Sequence, residues 1–303
     1  MVSWPDPGTR VTVRYRRPAG SVPPLTDAVG HLLGVDPLVR VQTKTGAVVE
    51  FAPTDVVALR VLTDAPLRTS DIRGLEHAAA LAWPGVEQTW LDGWLLRAGH
   101  GAGLIANSAV PLDISAQMAA VPAIAAWYHR RGLTARLAIP DRVLSPPPGL
   151  TAERIERLLV RDVSDVPGGE PDPAIVLSAS PDDAWLRMYR RDIPVDVLAA
   201  VTDGELMFGT RPGAAVARAA VTEAPDGTRW VGLSALSADE PAGAVAAAGR
   251  LCEALLAWGA RRGATRAYVE VGDDNGATTL ADSLGFRLHH RRRYFPAPAM
   301  DTV

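Results

Sequence analysis

Lysine is almost missing from this chain of 303 residues. Lys44 is the only lysine among 31 basic residues, so arginine carries nearly all of the positive charge. The formal net charge of −3 gives no general basic field of the kind that binds nucleic acids. We therefore expect no nucleic-acid partner.

Cysteine is scarce as well, because Cys252 is the only one. A single cysteine excludes an internal disulfide framework, which agrees with a reducing compartment. No cluster of histidines and cysteines with ligand spacing surrounds it, so we expect no bound metal. Long apolar runs and an N-terminal signal pattern are also missing, and we expect a cytoplasmic protein without a membrane partner.

The first 65 residues predict a small all-β domain. Thr9–Arg16 alternates between apolar and polar residues, as a half-buried strand does, and four more short strands follow without a helical pattern. This order is similar to that of an SH3-like barrel. Such a barrel would either bind a partner or cover one face of the rest of the chain.

A repeated stretch indicates that the remainder holds two copies of one domain. Seven of twelve positions are identical between Ala123–Thr134 and Ala254–Thr265, and both stretches join a helix to a strand. We place the two domains at residues 70–167 and 174–303. In the first, Thr151–Leu159 predicts a helix and Ala106–Ser108 a strand; in the second, His289–Arg293, "HHRRR", is interpreted as a strand with a solvated face.

The C-terminal copy resembles the GCN5-related N-acetyltransferase (GNAT) superfamily. Asp274–Phe286, "DNGATTLADSLGF", is similar to the helix and Gly-Phe exit of that family, and a long strand, a loop and a helix precede it. The resemblance implies an α/β (α+β) fold, with the SH3-like barrel followed by two GNAT-like mixed-sheet domains. The first of these is similar to the degenerate half of tandem GNAT proteins, and we expect one acetyl-CoA per chain, in the second.

The resemblance also implies where acetyl-CoA binds. Its pantetheine arm would pair with a strand edge, and its pyrophosphate would lie at the start of the next helix, where small residues allow close approach. Gly243 is kept, but the leading Arg or Gln and the second Gly of the family loop are absent. The predicted contacts are Leu236, Ser237, Ala238, Gly243, Ala244, Val245, Ala246, Ala247, Ala248, Gly249, Arg250 and Asn275.

The catalytic groups depart from the family pattern. The usual tyrosine acid falls at Ala281 in an ungapped alignment, which leaves Ser283, or Asp282, as a substitute. Glu223 and Glu270 are the candidates for the general base, and we choose Glu270 because Tyr268 lies on the same strand face. Asn107 and Tyr268 are predicted to contact the substrate.

These observations predict an acetyl-CoA-dependent transferase that acetylates a primary amine of a small molecule or peptide. The alternative is a catalytically weak acyl-CoA-binding or sensing protein that uses the barrel for interaction. A protein partner or a homodimer stays open.

Overall fold

The chain forms two compact units, Met1–Leu67 and Arg68–Val303. The structure is a computed structural model that describes residues 4–5, 9–18, 20–43, 47–62, 67–146, 149–163, 172–238, 244–272 and 275–297. The expected boundary near residues 167–174 falls largely outside this part of the chain.

The first unit is a five-stranded antiparallel sheet, which agrees with the predicted small β domain. Alternation buries one face of each strand, and Val11, Val13, Leu32 and Val41 form its core. The strand order is β4-β3-β2-β1-β5. The strands are β1 (Arg10–Arg16), β2 (Leu25–Gly34), β3 (Val39–Thr43), β4 (Val48–Phe51) and β5 (Val56–Val61).

The second unit holds two halves that share the order helix, three strands, helix and two strands, to which half B adds β11, α4 and α6. Half A comprises residues 68–163: α1 (Thr69–Ala82), β6 (Glu87–Leu91), β7 (Trp94–Ala98), β8 (Ala109–Pro111), α2 (Val121–His129), β9 (Arg136–Pro140) and β10 (Arg154–Asp162). Half B comprises residues 172–297: β11 (Val176–Ser178), α3 (Asp183–Tyr189), α4 (Val195–Leu198), β12 (Glu205–Arg211), β13 (Ala215–Glu223), β14 (Arg229–Ala238), α5 (Ala244–Arg261), β15 (Arg266–Val271), α6 (Asn275–Ser283) and β16 (Arg287–Pro296).

One continuous sheet of eleven strands runs through both halves. Its order is β11-β12-β13-β14-β15-β10-β16-β9-β8-β7-β6. The last strand of half A, β10, lies between β15 and β16 of half B. The last strand of half B, β16, lies in turn between β10 and β9 of half A. Each half therefore completes the sheet of the other.

Strand β10 corrects the predicted helix at Thr151–Leu159. Ile155, Leu158 and Leu159 have helical spacing in the sequence, but β15 and β16 offer hydrogen-bonding edges on both sides of this segment. As a strand it presents Leu158 to α1 and Leu159 to α5 and α6. Tertiary pairing here outweighs local helical preference.

The repeated stretch ends helices α2 and α5 in the same way. After α2, Leu133 N–H donates to Tyr128 O and Gly132 N–H to His129 O; after α5, Ala264 N–H donates to Gly259 O and Gly263 N–H to Ala260 O. Gly132 and Gly263 have φ of 65° and 83°, a left-handed conformation that glycine adopts without strain. The repetition in sequence is thus a repetition of helix-ending geometry.

A buried arginine–serine pair also occurs in both halves. Arg97 on β7 donates to Ser108 Oγ at 3.1 Å, and Arg218 on β13 donates to Ser234 Oγ at 3.3 Å. Both arginines also donate to carbonyls at the end of α1, Arg97 to Trp83 and Arg218 to Ala82. The C-terminal end of α1 carries a partial negative charge, which favours these two cations.

Candidate active site

Strands β14 and β15 separate in the middle of half B. They run parallel and are paired from Trp230–Arg266 to Leu233–Val269. Beyond these residues β14 continues to Ala238 beside β13, whereas β15 continues to Val271 beside β10. We call the opening beyond Leu233 and Val269 the mouth. One edge of β14 there has no paired strand in the described part of the chain.

A bulge in β14 marks the start of the mouth. The register with β13 shifts between Ser234, which pairs with Arg218, and Ser237, which pairs with Val216. Ala235 between them has φ of 50°, which is uncommon for a residue with a Cβ atom. The predicted contacts Leu236, Ser237 and Ala238 follow the bulge along the free edge. Ser237 Oγ donates to Met188 O of α3 at 3.0 Å, so α3 forms one wall.

The start of α5 adjoins the same end of β14. The first four backbone N–H groups of a helix have no partner within it, and the positive end of the helix dipole lies there. Val245 is 66% exposed, and Ala246 is exposed as well. Gly243 lies outside the described residues, so its predicted contact stays a prediction. A free strand edge beside a helix start fits the pantetheine arm and pyrophosphate of acetyl-CoA.

The predicted contact segment extends too far into α5. The N–H groups of Ala248, Gly249 and Arg250 lie beyond the first turn, where they donate within the helix. The side chains of Ala247 and Ala248 are buried in the core, and Arg250 pairs with Asp172 at 3.5 Å. Ala248, Gly249 and Arg250 therefore leave the proposed site, whereas the first-turn residues stay.

Tyr268 packs in the core and has little room to contact a substrate. Its side chain lies over Gly232 and packs with Trp230, Leu75 and Leu158 beneath α1. The residue is 3% exposed, and burial raises its pKa well above the usual value. The predicted substrate contact of Tyr268 therefore stays a prediction without support from this packing.

Asn107 holds a loop of half A together. It lies just before β8 and not on a strand, which corrects the predicted strand at Ala106–Ser108. Its Oδ1 accepts from the N–H groups of Gly99 and Gly101, and its Nδ2 donates to the carbonyls of Ala102 and Gly103. Its amide is used within this loop, and a substrate contact stays a prediction without support from this geometry.

The predicted acid Ser283 lies away from the mouth. It is the last residue of α6, about 12 Å along the helix axis from Asn275, because a helix rises 1.5 Å per residue. The Ser283 residue is exposed, and its Oγ donates to Leu280 O at 2.7 Å. Ala281, where the family tyrosine would fall, is buried in the core. These positions argue against Ser283 as the acid.

Glu270 lies at the mouth within a cluster of buried charges. Its two carboxylate oxygens accept from Arg292 on β16, at 2.9 and 3.2 Å. The same guanidinium donates to both oxygens of Glu76 on α1, at 2.8 to 3.0 Å. His290 Nε2 contacts Glu76 at 2.7 Å. Both His290 and Arg292 are buried, which corrects the interpretation of "HHRRR" as a solvated face.

Glu156 on β10 is the third carboxylate of the cluster. Tyr294 donates its hydroxyl to Glu156 Oε2 at 2.9 Å, and Arg154 Nε lies 3.0 Å from Oε1. Burial and then the charge of Glu270 raise the pKa of Glu156. Burial also favours neutral Glu76, but the charge of Arg292 and the hydrogen bond with His290 outweigh it and lower the pKa of Glu76 to about 2.

Sequence reasoning did not find Glu76, Glu156, Arg292 or Tyr294 as neighbours of Glu270. Glu156 was assigned to a helix, and Glu76 lies on a helix of the other half. One signal was available in the sequence, since Arg292 and Tyr294 are two residues apart on a strand and therefore share a face.

In the described ranges, no helix is long and apolar enough to cross a membrane, and no cluster of three or more candidate ligands could hold a metal.

Comparisons with known proteins place the chain in a family. Residues 69–295 match the family described as "Probable histone acetyltransferase Rv0428c C-terminal", and residues 5–60 match "Rv0428c N-terminal Sm-like domain". The protein named "Probable histone acetyltransferase Rv0428c" of Mycobacterium tuberculosis is 66% identical over 301 residues, which cover 99% of this chain and 98% of that protein.

A solved structure supports the fold. The GCN5-related N-acetyltransferase from Kribbella flavida matches with a TM-score of 0.50 and 15% identity, covering 78% of this chain and 98% of that chain. The chain therefore belongs to the family described as "Probable histone acetyltransferase Rv0428c C-terminal", and its second unit has the fold of that GCN5-related N-acetyltransferase.

Proposed function

We propose that this protein transfers the acetyl group of acetyl-CoA to a primary amine of a small molecule or peptide, by direct attack in half B. The observation that carries the proposal is the mouth between β14 and β15. A free strand edge, the start of α5 and a carboxylate pair, Glu156 and Glu270, lie at this one end of the sheet.

The main chain of half B would hold the co-substrate. The amide groups of the pantetheine arm pair with the edge of β14 at Leu236–Ala238, as an added strand does. The pyrophosphate lies on the N–H groups at Ala244–Ala247, where the dipole of an 18-residue helix favours anions. Gly243 and Asn275 complete this proposed site.

The bulge supplies a polarising group. It turns the backbone of Ala235 and Leu236 away from the regular ladder, and an N–H group at Leu236 would donate to the thioester carbonyl oxygen. Such a donor stabilises the negative charge that develops on that oxygen during attack. No side-chain movement is needed, because β13 fixes the strand on both sides of the bulge.

Direct attack is favoured over an acetylated cysteine. Cys252 is the only cysteine, and it lies on the buried face of α5, in the core. Burial raises the pKa of its thiol to about 12, so the nucleophilic thiolate is scarce at neutral pH. The amine nitrogen must therefore reach the thioester itself.

Half A offers a poorer site for a second acetyl-CoA. Its parallel strands β8 and β9 are paired only at Ala109 and Leu137, and Trp94 Nε1 donates to Gln117 O across the following loop. Asp92, Ser115 and Gln117 line a recess of about 330 Å³ there. An acid in this recess would repel a pyrophosphate, which supports one acetyl-CoA per chain.

Two measurements test the proposal. Calorimetry with acetyl-CoA should give one site per chain, and release of the coenzyme A thiol should depend on an added amine. We would compare a histone H3 N-terminal peptide, since the M. tuberculosis relative is named a probable histone acetyltransferase, with spermidine and free amino acids. Binding without thiol release on any amine would favour the sensing alternative, and no binding at millimolar acetyl-CoA would contradict both.

A further inference from the structure

Three carboxylates of the buried cluster are the candidates for removing a proton from the acceptor amine. A primary amine is mostly an ammonium ion at neutral pH, and its nitrogen attacks only after it loses a proton. Among the described residues of the buried cluster, the carboxylates are Glu76, Glu156 and Glu270. The following inference rests on the proposed function and asks which of them takes the proton.

Glu76 and Glu270 are both committed to Arg292. The guanidinium donates to the two oxygens of Glu76 and to the two oxygens of Glu270, all within 3.2 Å. Glu76 is also fully enclosed beneath α1, with its side chain 1% exposed. Both oxygens of each of these carboxylates are therefore already hydrogen-bonded to the guanidinium.

Glu156 has a different set of neighbours. The nearest nitrogen of Arg292 is 3.7 Å away, so this contact is longer than those to the other two carboxylates. Its close partners are the neutral hydroxyl of Tyr294 on the inner side and Arg154 on the outer side. The Arg154 side chain is 51% exposed while that of Glu156 is 6% exposed, so the outer partner of Glu156 is a solvated arginine.

The charges facing Glu156 favour proton uptake. In the described part of the chain these are Arg154 on β10, Glu270 on β15, Arg292 and Tyr294 on β16, and Glu76 on α1 through Arg292. Three carboxylates lie around Arg292, so its one charge cannot neutralise all of them. The raised pKa of Glu156 has the direction that a general base needs in order to accept a proton near neutral pH.

The sheet register brings Glu156 to the mouth. Leu158 pairs with Glu270 and Arg157 with Val271, so Glu156 lies at the end of β15, beside Gly272. A Cβ atom on Gly272 would come within 3.0 Å of an Arg154 nitrogen, which shows that Arg154 extends over this end. Glu156 and Glu270 are diagonal neighbours on adjacent strands, about 7–8 Å apart at their backbones. Both therefore lie at the end where the edge of β14 is free.

We propose that Glu156 is the proton acceptor for acetyl transfer in half B. It is supplied by β10, the strand of half A that lies between β15 and β16 of half B. The ammonium gives one proton to the Glu156 carboxylate, and the freed nitrogen lone pair forms a bond to the thioester carbon. The carbon–sulfur bond then breaks, its electron pair stays on sulfur, and the second nitrogen proton passes to that thiolate. Glu156 finally returns its proton to solvent, so an amide, coenzyme A and one proton result.

The test compares Glu156→Gln with two matched variants. Glutamine keeps the shape and can still accept the Tyr294 hydroxyl, but it cannot take a proton. Glu270→Gln removes the alternative base. Glu153→Gln is the control. Glu153 precedes Glu156 by three residues and pairs with Arg136, outside the cluster. Acetyl-CoA affinity is measured by calorimetry, and kcat is measured from pH 5.5 to 9 with the best amine of the panel.

We expect Glu156→Gln to lower kcat by about 10²–10⁴-fold, to remove the acidic limb of its pH profile and to leave acetyl-CoA affinity unchanged. Hydroxylamine, which is already neutral at pH 7, should be acetylated by this variant at close to the wild-type rate. Wild-type kcat in Glu156→Gln, or an equal loss with hydroxylamine, would overturn the assignment. Weakened acetyl-CoA binding would do so as well, whereas a wild-type protein that acetylates no amine would overturn the proposed function itself.

Discussion

Gly232 and Tyr268 lie opposite each other on the parallel strands β14 and β15, and the tyrosine ring covers the glycine. A Cβ atom on Gly232 would come within 2.3 Å of the Tyr268 hydroxyl and Cζ. The ring lies against Leu75 and Ala79 of α1 in the same cluster. The absence of one side chain thus lets an aromatic ring fill the space beneath α1, next to where the strands separate.

We expect Gly232→Ala to lower the free energy of unfolding by about 1–3 kcal/mol, because the new methyl group must displace the Tyr268 ring in a packed core. Urea denaturation would measure this. Gly74→Ala is the matched control, because Gly74 lies inside helix α1 and a Cβ atom there would meet Ala224 at an ordinary 3.8 Å. This substitution should raise the free energy of unfolding by about 0.5–1 kcal/mol. Equal effects at the two positions would contradict this account of Gly232.

Substitution of Arg218 should lower the free energy of unfolding more than substitution of most other polar residues. It is fully buried and donates to the carbonyls of Ala82, Leu198 and Ala200 and to Ser234 Oγ. Arg218→Met would leave these acceptors without a donor and should cost about 3 kcal/mol or more in unfolding free energy. Ser234→Ala removes one of the four contacts and should cost about 1 kcal/mol. A small effect of Arg218→Met would show that solvent replaces the guanidinium.

The stability of the second unit should fall as the pH decreases from about 6.5 towards 4. Burial, and then the charge of neighbouring His290, lower the pKa of His289 from 6.5 to about 4. Over this range the unfolded chain binds a proton at His289 that the folded protein does not, so acid favours unfolding. His289→Gln should reduce the pH dependence of the urea midpoint, whereas substitution of the exposed His129 by Gln should leave it unchanged.

The first turn of α5 can be tested without disturbing the helix. Val245→Pro removes one N–H group that has no partner in the helix, and proline is tolerated in a first turn. A hydrogen bond to a charged group contributes about 1.5–3 kcal/mol, so acetyl-CoA affinity should fall by about 10- to 100-fold. Val245→Ala should bind normally. Full affinity in the proline variant would place the pyrophosphate elsewhere.

The two halves should behave as one folding unit because they exchange β10 and β16. A protease site introduced between residues 163 and 172 would allow the chain to be cut after folding. The two pieces should then elute together in gel filtration and unfold in a single transition. Separation under native conditions would contradict the shared sheet.

The repeat is visible in the sequence alone, whereas the strand edge and helix start at the mouth were expected from the resemblance to the GNAT family. The repeated helix-to-strand stretch is a local pattern, and its glycines and carbonyls make the same hydrogen bonds in both halves. The order of strand, helix and strand in half B likewise places a helix start beside a strand end. Patterns of this kind depend on neighbours in the chain, so a single sequence contains them.

The charge cluster, by contrast, exists only because distant segments meet in the folded chain. Glu76, Glu156, Glu270 and Arg292 come from a helix and three strands, up to 216 residues apart in sequence. Their approach depends on the exchange of β10 and β16, which pairs segments from opposite halves. Local preference even favoured a helix at Glu156, and only the two open strand edges beside it made that segment a strand. Buried charges need partners, and which partners they find is a property of the assembled sheet.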